Sequence, residues 1–213
     1  MRRIPWITLA LAALACLVQA SPALGAALEF RRAAVNTHGE LWRLVTAHLA
    51  HFGADHLRWD VAALLILGVM AERENRRRFA FTLSVAALAI GLGVWLGQPH
   101  FETYRGLSGI DSALYGLVCA RLLADGWRVR HGFSIAVGGL ALAGFALKCG
   151  AELTSGATVF ANAAADHYAP VPLAHLIGLA AGIAGATWEK LPRRKRGATN
   201  IAVVYKAVPE SGG

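Results

Sequence analysis

The 213-residue chain is 56% hydrophobic and only 16% charged, with a mean hydropathy of +0.47 and a formal net charge of +8. Apolar content at that level, with charges gathered into clusters, excludes an ordinary soluble domain and points to a polytopic membrane protein. The basic excess does not signal nucleic acid, because Lys and Arg sit between and after the apolar runs, as juxtamembrane anchors do.

Six apolar segments follow in order, each close to the ~20 residues a helix needs to cross a bilayer. They cover residues 4–24, 48–70, 79–97, 108–124, 133–150 and 171–188. The first begins behind Arg2 and Arg3 and ends near Val18-Gln19-Ala20 before Ser21, features shared with a cleavable secretory signal. We read it as an uncleaved anchor, because six spans give a consistent topology. The second opens on Thr46-Ala47-His48-Leu49-Ala50-His51-Phe52 and Asp55-His56-Leu57-Arg58-Trp59-Asp60. Polar side chains at the outer end of a span are costly unless they serve a purpose. His56 and Asp60 are spaced i,i+4 and share one helix face, whereas His48 reads more simply as a polar cap in the hydrated headgroup layer.

The fourth segment opens on Gly106-Leu107-Ser108-Gly109 and repeats small residues at helical spacing: Gly109, Ala113, Gly116 and Ala120. Being short and rich in small residues, it is expected to be enclosed by its neighbours. The sixth carries His175, then Gly178, Gly182 and Gly185. The outer loops, among them the polar stretches 98–104 and 152–166, are expected to admit water to a shallow cavity. Residues 1–196 form one expected membrane domain, and 197–213 a cytoplasmic tail expected to be mostly disordered.

Basic residues set the orientation. With the N-terminus inside, cytoplasmic segments hold Arg2, Arg3, Arg73, Arg76, Arg77, Arg78, Arg121, Arg128, Arg130, Lys190, Arg193, Arg194, Lys195 and Arg196. The outer loops hold Arg31, Arg32, Arg43, Arg105 and Lys148, so fourteen against five places both termini inside.

Cys16, Cys119 and Cys149 fall in apolar runs at unrelated spacings and read as buried small hydrophobes. The eight histidines show no zinc spacing, so neither a metal nor a cofactor is expected.

This topology makes a geometric prediction. Segments four and six both descend from the outer surface, and at a rise of ~1.5 Å per residue Ser108 and His175 lie at similar shallow depth. Small residues on both helices permit close backbone approach. Serine and histidine then meet as a nucleophile and its base.

Several pieces resemble the rhomboid intramembrane serine proteases, and more closely the bacterial rhombosortase branch. They are Glu40-Leu41-Trp42-Arg43, the His51 and His56 run with Asp60, Glu72 ending segment two, Tyr104-Arg105-Gly106-Leu107-Ser108-Gly109-Ile110-Asp111, and Ala174-His175-Leu176-Ile177-Gly178 with Gly182. They fall in the family's order over residues 40–189. The resemblance implies an all-α membrane protein, a six-transmembrane-helix bundle with both termini inside. Ser108 is then the nucleophile and His175 the general base of a dyad needing no third member. His56 and the Ser108 backbone N–H look like oxyanion donors, with Asp60, Gly106 and Gly109 in support. Two positions depart from the pattern: Asp60 stands where asparagine is common, and Ser112 where many members place an aromatic ring under the histidine. Asp111 is an additional acid beside the site with no derived role.

The activity so implied is an intramembrane serine endopeptidase of the bacterial inner membrane, its site opening to the periplasm. Its substrates would be exported, membrane-anchored proteins with a C-terminal tail of Gly-Gly, one transmembrane helix and a basic cluster. Glycine suits such a cleavage site because it costs ~1 kcal/mol more than alanine in a helix, which eases local unwinding. Two other functions stay open at this point. One is a transpeptidase-like sorting enzyme using the same dyad; the other is an inactive rhomboid-like protein that binds membrane clients.

Overall fold

In the computed structural model, residues 4–155 and 169–188 are described, and the architecture below concerns these alone. The tail at 197–213 lies outside them, as does most of the polar stretch after residue 152.

The first apolar segment does not form one straight helix. α1 spans Trp6–Gln19 and α2 spans Pro22–Leu28, with 113° between them. Ser21-Pro22 is the cause: the Ser21 hydroxyl accepts from the Leu24 N–H at 3.4 Å, and proline suits the first helical position, so a new helix starts there. Pro5 ahead of α1 has no side chain to cap the opening N–H groups. Glu72 supplies the cap from across the bundle, accepting from the Ile7 and Thr8 amides at 3.2 and 2.8 Å and from the Thr8 hydroxyl at 2.9 Å.

A compact stretch of short elements follows. β1 (Phe30–Arg31) pairs antiparallel with β2 (Thr103–Tyr104), Phe30 opposite Tyr104. This two-residue ladder is not anticipated from the sequence, being far too short to show a strand period. α3 (Arg32–His38) ends at Gly39 in the left-handed region, φ +68°. α4 (Arg43–Thr46) runs into a 3₁₀ turn at Ala47–Leu49.

The second predicted segment starts later than residue 48. Gly53 is extended, and the helix begins behind it as α5 (Ala54–Ala63), continues through a π-helical turn (Leu64–Gly68) and ends as α6 (Val69–Glu74). His48 and His51 therefore precede the helix instead of lying in its first turns. Gly68, in the π turn, lies against α1: a β-carbon there would sit 2.8 Å from Thr8 Cγ2.

α7 (Arg76–Gly97) is capped by Asn75, whose Oδ1 accepts from the Arg78 N–H at 3.0 Å. Its other end is closed by Arg32, whose guanidinium donates to the carbonyls of Trp95, Gln98 and Val94 at 2.6, 2.7 and 3.2 Å. α8 (Ser108–Val129), α9 (Gly132–Ser155) and α10 (Pro172–Thr187) complete the bundle. α8 and α9 both run five residues beyond their predicted ends at 124 and 150.

α7 and α9 are long and apolar enough to cross a membrane, and the bent α1–α2 pair is a third if counted as one span. α10 is apolar but has only 16 residues. α8 sits at the centre, as its small residues predict, with Ala113 and Leu114 wholly buried. Leu64, Phe79, Ile90 and Leu107 extend this core.

Candidate active site

The site begins with the contact between α8 and α10. A β-carbon at Gly178 would collide with the Gly109 carbonyl oxygen, and one at Gly182 with that of Ala113. From the other side, a β-carbon at Gly116 would sit 2.7 Å from the Leu179 carbonyl. The two backbones thus touch through the small-residue faces read in the sequence. Gly185 belongs elsewhere, facing Thr82 on α7.

That contact sets the register of two side chains. Ser108 is the first residue of α8, and His175 lies in the first turn of α10 behind Pro172. Ser108 Oγ is 3.1 Å from His175 Nε2, within hydrogen-bond reach. One turn along α8, the Ser112 hydroxyl donates to the Ser108 carbonyl at 2.7 Å and leaves the Ser108 hydroxyl to the histidine.

The far side of the ring is occupied as well. His175 Nδ1 is 3.1 Å from Glu152 Oε2, and Glu152 is ion-paired with Lys148 at 2.8 Å. Lys148 Nζ lies 3.4 Å from the same ring nitrogen. Lys148 and Glu152 stand i,i+4 on α9, so neither is the outer-loop residue the sequence suggested. The helix continues through Gly150 because a glycine weakens a helix by only ~1 kcal/mol and the i,i+4 pair supports it. An acid and a base four apart at the end of an apolar run were the available signal.

On the other side of Ser108, Asp60 gathers three groups onto one oxygen. Its Oδ2 accepts from the Leu107 N–H at 2.8 Å and lies 3.2 Å from His51 Nε2 and 3.3 Å from His56 Nε2. The i,i+4 contact of His56 and Asp60 is the one expected; His51 and the Leu107 amide were not foreseen. Gly106 turns the chain here with φ +120°, and a β-carbon on it would lie 2.7 Å from His56 Nε2. Glycine is required twice over, by dihedral and by space. Gly109 is close-packed too, a β-carbon there lying 3.0 Å from Ile90 Cδ1 and 3.4 Å from the Ala174 carbonyl.

Arg105 is held by an ion pair with buried Glu29 and a bond to the His51 carbonyl at 3.3 Å, with its guanidinium 5.1 Å from the centre of the Phe52 ring. Glu29 in turn shares its neighbourhood with Arg43, which donates to the Glu29 carbonyl at 2.8 Å and pairs with Glu40. His48 is not in a headgroup layer: it is buried, and its Nε2 lies 3.0 Å from the Ala87 carbonyl of α7. Burial without water demands a partner, and the helix carbonyl provides one.

Ser108, His175, Glu152, His56 and Asp60 all line one cavity of about 670 Å³. Asp111 lines it too, its carboxylate oxygens buried without a hydrogen-bond partner among the described residues. Cys149, Glu152 and His175 bring potential metal-ligand atoms within 4.8 Å of one another. Glu152, however, already has a cation beside it in Lys148, and the other ring nitrogen of His175 faces Ser108.

Chemically, the arrangement is a hydroxyl beside an imidazole at a helix N-terminus, where backbone N–H groups lack intrahelical acceptors. Comparison with curated proteins finds no match. The sequence profile of the Rhomboid domain, however, matches residues 38–189, a span that holds the histidine run, the serine and its histidine partner. The chain belongs to the rhomboid family, multi-pass membrane proteins that are generally intramembrane serine proteases.

Proposed function

We propose that the protein is an intramembrane serine endopeptidase in which Ser108 is the nucleophile and His175 the general base. The observation that carries this reading is the 3.1 Å approach of Ser108 Oγ to His175 Nε2 at the head of α8. His175 Nε2 takes the hydroxyl proton as Oγ bonds to the scissile carbonyl carbon, and the carbonyl π pair moves onto oxygen. Collapse of the tetrahedral species breaks the C–N bond, and the same proton passes to the departing amine. Water then attacks the acyl-enzyme, giving its proton to Nε2, and Ser108 leaves with that proton while the substrate keeps a free carboxylate. The Ser108 N–H and His56 are the oxyanion donors, with Asp60 fixing the His56 ring.

In this reading six spans place both termini in the cytoplasm, and the cavity opens to the periplasmic side of a bacterial inner membrane. The substrates are exported proteins whose C-terminal tail carries Gly-Gly, a transmembrane helix and a basic cluster. Support comes from the fourteen-to-five distribution of basic residues and from the rhombosortase-like pieces around Ser108 and His175.

The test uses purified protein in liposomes with a reporter bearing such a tail. Wild type cuts next to the Gly-Gly pair and leaves a free carboxylate, read by mass spectrometry. Ser108→Ala produces no cleavage at an unchanged thermal midpoint, since alanine suits a helix face already built of small residues. Substantial processing by Ser108→Ala would end the nucleophile assignment.

A further inference from the structure

The sequence points to a two-residue machine, yet the histidine is held from both sides. We propose that Glu152 is a positioning residue for His175, making the site a Ser108–His175–Glu152 triad with Lys148 as the counter-ion of its carboxylate. The inference rests on the serine-protease reading above and adds to it the group that sets the state of the base.

The argument starts from the ring's single proton. To take the Ser108 proton, His175 Nε2 must present a lone pair, so the neutral imidazole carries its hydrogen on Nδ1. Nδ1 faces Glu152 Oε2 at 3.1 Å, an acceptor that rewards this tautomer and opposes the reverse one. Lys148 Nζ, 3.4 Å from Nδ1, is itself a donor and cannot bond an N–H. Its natural acceptor is the carboxylate: Lys148 donates to Glu152 Oε2 at 2.9 Å, so ammonium and imidazole converge on one oxygen.

Burial makes the arrangement demanding. Glu152 is 2% exposed and His175 7%. A buried carboxylate needs partners for its lone pairs, and Lys148 and His175 are two of them. On α8, Ser112, one turn after the nucleophile, is too small to stack on the ring. When His175 takes the proton from Ser108, the negative charge of Glu152 faces the new positive ring. Glu152 keeps its charge throughout and takes no proton from Nδ1.

Three measurements test this on the full-length protein in detergent or liposomes. Glu152→Gln keeps the shape but offers an amide N–H that favours the wrong tautomer. In a Ser-His-Asp protease the equivalent acid-to-amide change lowers kcat by ~10⁴. We expect a fall of ~10²–10⁴ in kcat here, with KM little changed. A fall in kcat of less than about a hundredfold overturns the proposal.

The double variant Lys148→Met/Glu152→Gln removes both charges. It recovers the thermal midpoint lost by the single change and stays slow. If kcat returns together with the midpoint, Glu152 serves only to neutralise Lys148, and the triad is refuted. The third measurement needs no variant of the pair: ¹⁵N resonances of His175 in Ser108→Ala protein report the ring tautomer. A hydrogen on Nδ1 is expected, and a hydrogen on Nε2 overturns the assignment. Failure of any of these leaves the Ser108 nucleophile standing, since that assignment is tested separately, by cleavage with Ser108→Ala.

Discussion

The two sides of Ser108 are built by different physics. Toward α10, the site is fixed by absence: glycines at 178 and 182 let two backbones touch, and the serine–histidine distance follows from that contact. Toward α5, it is fixed by charge, with Asp60 drawing His51, His56 and the Leu107 amide onto one oxygen. A packing contact tolerates no added atom but is indifferent to ionisation. A carboxylate hub tolerates isosteric replacement but not loss of its acceptor. The difference teaches where each kind of substitution does harm.

Gly182→Leu breaks the packing side and has the largest expected effect. Its side chain would collide with the Ala113 carbonyl, and because the obstacle is backbone no rotamer change relieves it. We expect loss of α8–α10 docking, no detectable cleavage, and a lowered or absent thermal transition in detergent. Wild-type unfolding and cleavage by this variant would show that the helices meet in another way.

Asp60→Leu breaks the charged side. Losing one oxyanion donor costs ~10²–10³ in kcat, and the Leu107 amide loses its buried acceptor as well. Activity equal to wild type would mean His56 is oriented by something else. A drop in stability alone, with kcat preserved in the folded fraction, would make Asp60 a structural hub only. Asp60→Asn sharpens the comparison with the smallest effect: an amide oxygen still accepts, so activity stays within about tenfold of wild type.

Legibility in the sequence divides along the same line. The packing side was readable because glycine and alanine recur at helical spacing on both segments, and close approach is what such spacing permits. Within the charged side, His56 and Asp60 were readable as an i,i+4 pair. His51 and the Leu107 amide were not, since both reach Asp60 through loop geometry that leaves no period. Glu152 is hidden by a boundary: Gly150 and the polar residues after it suggest a helix end, so the sequence places an acid of α9 in a loop. Ser21-Pro22 hid the break in the first segment, because hydropathy is blind to the direction of a chain. His48 misleads for the opposite reason, its polarity suggesting water where the fold supplies a carbonyl.

The central claim, that His175 activates Ser108, is tested most directly by covalent capture. Membranes containing the wild-type protein are treated with a fluorophosphonate probe, and the adduct is mapped by peptide mass spectrometry, with His175→Ala and Ser108→Ala treated in parallel. The account predicts an adduct on Ser108 in wild type, a much weaker one in His175→Ala, and none in Ser108→Ala. Equal labelling of wild type and His175→Ala, or an adduct at a different serine, would contradict it.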